Sequence, residues 1–96
     1  MRWLETIRVQ SATGMEQTTL KELTFLGREI IKDPGCQGLL DIMVSSHASI
    51  PGCFALMLLR DNDDPRPKGS LLGMSLAQSL KAFGLVDHCV WIENYR

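Results

Sequence analysis

An α+β domain with the element order strand, helix, strand, strand, helix, strand is predicted by three features of the 96-residue sequence. Four segments show the period-two or continuous apolar patterning of strands, two carry apolar residues at spacings of three and four, and turns bearing Gly or Pro separate them. That order is the split βαβ plan of a ferredoxin-like fold, a four-stranded antiparallel sheet with both helices on one side. It uses residues 1–96 as a single domain, with no repeat and no linker.

The first strand runs from Arg2 to Val9, with Trp3, Glu5, Ile7 and Val9 on one face and Leu4, Thr6, Arg8 and Gln10 on the other. Thr13 followed by Glu16 has capping-box spacing, which satisfies orphan backbone donors at a helix start. The first helix then carries Leu20, Leu23, Leu26 or Gly27, and Ile30 as its apolar stripe. Asp33-Pro34-Gly35 is expected to end it, because Pro breaks the hydrogen-bond ladder and Gly accepts a left-handed turn. The second strand, Leu39 to Ser46, reads Leu40, Ile42, Val44, Ser46 against Leu39, Asp41, Met43, Ser45. Ser49-Ile50-Pro51-Gly52 is a turn. Ser70 is the expected N-cap of a second helix with Leu72, Leu76, Leu80 and Phe83 inward, and Gly84 its C-terminal cap. Leu85 to Glu93 is the last strand, with Val86, His88, Val90 and Ile92 opposite Asp87, Cys89, Trp91 and Glu93.

The third strand, Cys53 to Arg60, decides more than its own structure. It is apolar on both faces, Phe54, Leu56 and Leu58 against Cys53, Ala55, Met57 and Leu59. Strands of that kind belong to sheets covered on both sides, whereas helices on one side alone would leave clean alternation here. A second copy covering the open face, and hence a homodimer, is the expectation. A domain this small also buries only about 60–65% of its unfolded surface and gains from an interface.

Composition sets further limits. The 45% hydrophobic and 22% charged content is ordinary for a globular domain. A net charge of −1 gives no field to attract nucleic acid or an acidic membrane. No signal peptide or membrane-spanning run is read from the sequence. Cys36, Cys53 and Cys89 are odd in number and widely spaced, which fits a reducing cytoplasm better than a disulfide scaffold.

The element order, with Pro34-Gly35-Cys36-Gln37-Gly38 entering the second strand, resembles the antibiotic biosynthesis monooxygenase-like superfamily of dimeric α/β barrels. The resemblance implies a homodimer whose two sheets face each other as a barrel, and a small cavity between helices and sheet. Activities in that superfamily range from cofactor-independent oxygenation of quinol-like or polyketide aromatics to haem degradation. The haem-degrading branch carries an Asn–Trp–His set with Asn on the first strand. Here the asparagines are Asn62 and Asn94, and Trp91 and His88 lie in the last strand, so no catalytic residue is carried over.

Read from the residues themselves, the candidate chemistry is sparse. Histidine exchanges protons most readily near neutrality, which makes His88 and His47 candidates for a base acting on a phenolic or enolic substrate. Their plain alternatives are a hydrogen-bonded strand histidine and a hairpin residue. Glu5 and Asp41 each interrupt an apolar strand face, and a buried carboxylate must be paired. Arg8 and Arg60 on neighbouring strands could supply the partner, unless these faces reach a solvated edge. Catalytic candidates are therefore His88, Asp41 and Glu5. Trp91 and Trp3 are candidate aromatic walls of a substrate site, with His47 and Arg8 as polar contributors; core or dimer packing explains the tryptophans equally well. Asp61-Asn62-Asp63-Asp64 lacks the glycine and closing glutamate of a calcium loop, and Lys68-Gly69-Ser70 lacks the Gly-rich lead of a phosphate loop.

The expected function is that of a cytoplasmic, cofactor-independent monooxygenase acting on a small aromatic or quinol-type molecule, with no bound metal. The alternative is a non-catalytic, ligand-binding or structural dimer. An RNA-binding sheet is disfavoured, because such sheets display exposed aromatics in a basic setting.

Overall fold

Alternate burial along β1 (Arg2–Ser11) organises the molecule: Trp3, Glu5, Ile7, Val9 and Ser11 are buried, while their neighbours face the other way. The structure is a computed structural model and describes residues 1–32, 38–62 and 64–94. α1 (Glu16–Ile31), β2 (Leu39–Ser46), β3 (Cys53–Asp61), α2 (Leu71–Leu80) and β4 (Gly84–Ile92) follow in the predicted order. The sheet order is β2-β3-β1-β4, with every neighbouring pair antiparallel. The fold is the ferredoxin-like α+β arrangement.

Both helices lie on one side. Leu23 and Ile30 of α1, and Leu76, Ala77 and Leu80 of α2, join one core with Ile7 and Val9 of β1 and Phe54, Leu56 and Leu58 of β3. α1 sits mainly over β2 and β3, and α2 over β4 and β1. The opposite face carries Leu4, Thr6, Met57 and Leu59, half-buried, and Met43 and Trp91, exposed. β3 is apolar on both sides as read from the sequence, and on its second side Ala55, Met57 and Leu59 are only half-buried within one copy.

Four local expectations are corrected. Thr13 does not cap α1: the helix begins at Glu16 without a side-chain cap, and the Glu16 carboxylate reaches back to accept from the Gly14 N–H at 3.3 Å. Leu20 does not belong to the buried stripe; Thr19, Leu23, Gly27 and Ile30 form it. A bulge between Leu39 and Asp41 turns Leu39 onto the helix side, against the core, instead of sharing a face with Asp41. Gly84 is not the helix cap either. Lys81 holds that position, and Gly84 opens β4 where a Cβ would run into the backbone carbonyl of Gln10.

Ser70 does cap α2, accepting the Gly73 N–H at 2.9 Å. Asp33, Pro34, Gly35, Cys36 and Gln37, which carry the expected helix stop and most of the turn motif, lie outside the described residues, as does Asp63. Among the described residues no helix is long and apolar enough to cross a membrane.

Candidate functional site

The pleat of the sheet decides which candidate residues meet. Glu5 is paired with Val90 and Ile7 with His88, so Glu5 and His88 are diagonal neighbours on the helix-covered face. Diagonal neighbours lie within reach of long side chains. His88 Nε2 stands 2.6 Å from Glu5 Oε2. Glu5 itself is wholly buried, and His88 keeps 15% of its side chain exposed.

Three further donors converge on the Glu5 carboxylate. The Ser70 backbone N–H donates to Oε2 and the Ser70 hydroxyl to Oε1, both at 2.8 Å. The Arg60 guanidinium stands 3.5 Å from Oε1. Two donors thus face each oxygen, matching the four acceptor sites of an ionised carboxylate. Burying such a charge is costly unless it is paired and hydrogen-bonded, and here the pairing is complete. The first turn of α2 adds its positive end to the same place.

Arg60 is held in turn. Its Nη2 donates to Ser70 Oγ at 3.1 Å, and its guanidinium lies 5.4 Å from the centre of the Trp3 ring. Trp3 Nε1–H donates to Asn62 Oδ1 at 3.0 Å, the oxygen that also accepts the Asp64 N–H. A chain of contacts therefore runs Asn62–Trp3–Arg60–Ser70–Glu5–His88. Among the described residues the buried Arg60 Nε has no hydrogen-bond partner, and neither has His88 Nδ1.

Two glycines make room for this cluster. At Gly73, in the first turn of α2, a Cβ would overlap the Glu5 carboxylate. At Gly69, whose φ of +98° is itself unfavourable for other residues, it would overlap the His88 ring.

The remaining candidates are elsewhere. Asp41 is exposed on the open side of the sheet and accepts from its own neighbour, the Ile42 N–H, at 2.8 Å. It does not join Glu5 and His88. Arg8 is also on the open side and pairs with Asp87 at 3.2 Å instead of with either candidate carboxylate. His47 closes the β2–β3 hairpin: its Nδ1 accepts the Ser49 and Ile50 N–H groups at 3.1 and 3.0 Å.

Three clefts each take a subset of the candidates. One of about 250 Å³ lies between Trp3, Trp91, Leu4 and Leu59, one of about 150 Å³ takes Arg8 and His47, and one of about 260 Å³ between α1 and β2 takes Asp41. None of these three reaches Glu5 or His88. Among the described residues no group of three or more His, Cys, Asp and Glu is placed to hold a metal ion.

Arg60 and Ser70 are the parts of the cluster that the sequence made hardest to find. Arg60 was legible as a possible carboxylate partner. Ser70 reads only as a helix cap, and its second task depends on where the α2 N-terminus lands on the sheet.

No family model and no curated protein matches the sequence. Among solved structures, the crystal structure of a putative antibiotic biosynthesis monooxygenase from Deinococcus radiodurans superposes with a TM-score of 0.71. The match covers 98% of this chain and 94% of that one, at 16% sequence identity. The chain has that protein's fold. The element order read from the sequence is therefore matched by the architecture of the whole domain.

Proposed function

We propose that the protein is a cofactor-independent monooxygenase of a small aromatic or quinol-type molecule, working as a cytoplasmic homodimer joined through the open sheet face. The observation that carries this reading is the Glu5–His88 pair, a buried carboxylate on one imidazole nitrogen with the other nitrogen unpartnered among the described residues. The likeness in fold to a protein described as a monooxygenase lends it support.

The chemistry asks little of the protein. His88 removes a proton from an activated ring position or hydroxyl, and the resulting anion gives its electrons directly to dioxygen. For an activated methylene the balance is R2CH2 + O2 → R2C=O + H2O. One oxygen atom enters the product, the other leaves as water, and the substrate supplies all the electrons. The protein contributes the base, orientation and exclusion of bulk water.

Incubation with anthrone under 18O2 tests the proposal. Expected are oxygen uptake, one labelled oxygen in the anthraquinone product, and loss of both in His88→Asn. Turnover equal to the buffer blank overturns it.

A second reading, a non-catalytic dimeric module, is favoured by the complete set of donors around Glu5, which would serve equally to dock α2 onto the sheet. In that case His88→Asn changes stability and no reaction.

A further inference from the structure

We infer that Glu5 is a positioning residue, clamped by Ser70 and Arg60 at the α2 N-terminus, that presents His88 Nδ1 as the proton acceptor for a neutral phenol or enol. The inference rests on the proposed deprotonation at His88 and names both the acting atom and the acid it takes.

Glu5 is not the base. Donors from Ser70, Arg60 and His88 already face both of its oxygens, and no surface of the carboxylate is open to a substrate. What it can do is accept the Nε2–H of His88. That hydrogen bond selects the imidazole tautomer with hydrogen on Nε2 and the lone pair on Nδ1, as a buried carboxylate does in hydrolase triads. Nδ1 has no hydrogen-bond partner among the described residues and is not sealed from solvent.

The clamp explains why the carboxylate stays in place. Ser70 Oγ donates to Glu5 while accepting from Arg60 and from the Gly73 N–H, so the hydroxyl proton is directed by two other donors. Arg60 cannot turn away without leaving the Trp3 ring.

The step is a single proton transfer. The substrate O–H bond breaks, its electron pair stays on oxygen, and the proton forms an N–H bond at Nδ1. The imidazolium then carries hydrogen on both nitrogens and is stabilised by Glu5. Arg60 and Glu5 already offset each other, so the cluster around His88 has no spare cation for a substrate that arrives as an anion. A carboxylic acid has shed its proton before binding at neutral pH. A phenol or enol still has one to give.

Ring 15N NMR tests this without reference to turnover, because the chain has only two histidines. In the native protein His88 is expected as the Nε2–H tautomer. Glu5→Gln keeps the side-chain size and replaces a charged acceptor by a neutral one, which lowers the tautomer preference about tenfold. Ser70→Ala, which keeps the backbone donor, gives a smaller change in the same direction.

Adding 4-nitrophenol to the native protein, at a pH low enough that the free phenol is neutral, is expected to convert the His88 signals to those of the doubly protonated ring while phenolate absorbance rises, with no such change in His88→Asn. An Nδ1–H tautomer in the native protein, an unchanged tautomer in a folded Glu5→Gln, or His88 signals indifferent to the phenol overturns the inference. If the phenolate forms but oxygen is never consumed, the acceptor assignment stands and the monooxygenase reading falls.

Discussion

Gly73 lies against the Glu5 carboxylate so closely that no side chain can be added to it, although it sits in the first turn of a helix. Elsewhere in an exposed helix, replacing Gly by Ala stabilises by about 1 kcal/mol. Here the sign reverses. Gly73→Ala would force Glu5 off its donors or α2 off the sheet, and overpacking of this kind costs about 1–3 kcal/mol. Urea unfolding of the variant is expected to show a lower midpoint; a raised midpoint would mean that α2 does not dock on Glu5.

The two arginine pairs of the sheet should behave very differently. Arg60–Glu5 is almost fully buried, whereas Arg8–Asp87 has more than half of each side chain in solvent. Removing one member of a buried pair strands the other charge and costs about 3–5 kcal/mol, while an exposed pair contributes about 0–1 kcal/mol. Arg60→Met is therefore expected to unfold at much lower denaturant than Arg8→Met. Equal midpoints for the two variants would contradict the clamp around Glu5.

The sequence disclosed the helix face of β1 well because burial there follows the pleat without interruption from Trp3 to Ser11. Glu5 stood out for the same reason, as a charge in an apolar row. What it could not disclose was register. Glu5 meets His88 only because β1 and β4 pair with Val90 opposite Glu5, and nothing local to either strand specifies that offset.

The bulge in β2 shows the same limit from the other side. One extra residue at Leu40 returns Leu39 to the core, so strict alternation misplaces it. Asp41 and Glu5 looked alike as interruptions of apolar strands. They differ because Glu5 lies on the helix-covered face of an inner strand and Asp41 on the open face of an edge strand, so that one carboxylate is enclosed and the other solvated.

His47 has a structural task that can be separated from chemistry at His88. Its Nδ1 accepts two backbone N–H groups within the hairpin loop, those of Ser49 and Ile50. His47→Ala leaves both without that acceptor, at a cost of about 1 kcal/mol for a partly solvated turn. Hydrogen exchange at Ser49 and Ile50 is expected to speed up, while exchange in β1 and β4 and any turnover stay as in the native protein. Loss of turnover in a folded His47→Ala would relocate the base from His88 to the hairpin.

The open sheet face supplies the test of assembly. Leu59 lies on an inner strand towards one end of that face, paired with Leu4 on one side and Asp41 on the other, with Trp91 beyond Leu4. Trp91 is 62% exposed in a single copy and Met43, further along the same face, 52%. A stable interface needs roughly 800 Å² from each partner, an area that a four-stranded face of this length can offer. Stacking two such faces would bury Leu59, and a carboxylate introduced there would have to be desolvated without a partner. Leu59→Glu is thus expected to sediment as a monomer with the far-UV circular dichroism of the native fold, while the unmodified chain sediments as a dimer. A native monomer at micromolar concentration would remove the homodimer, whereas a dimer that survives Leu59→Glu would place its interface on another face.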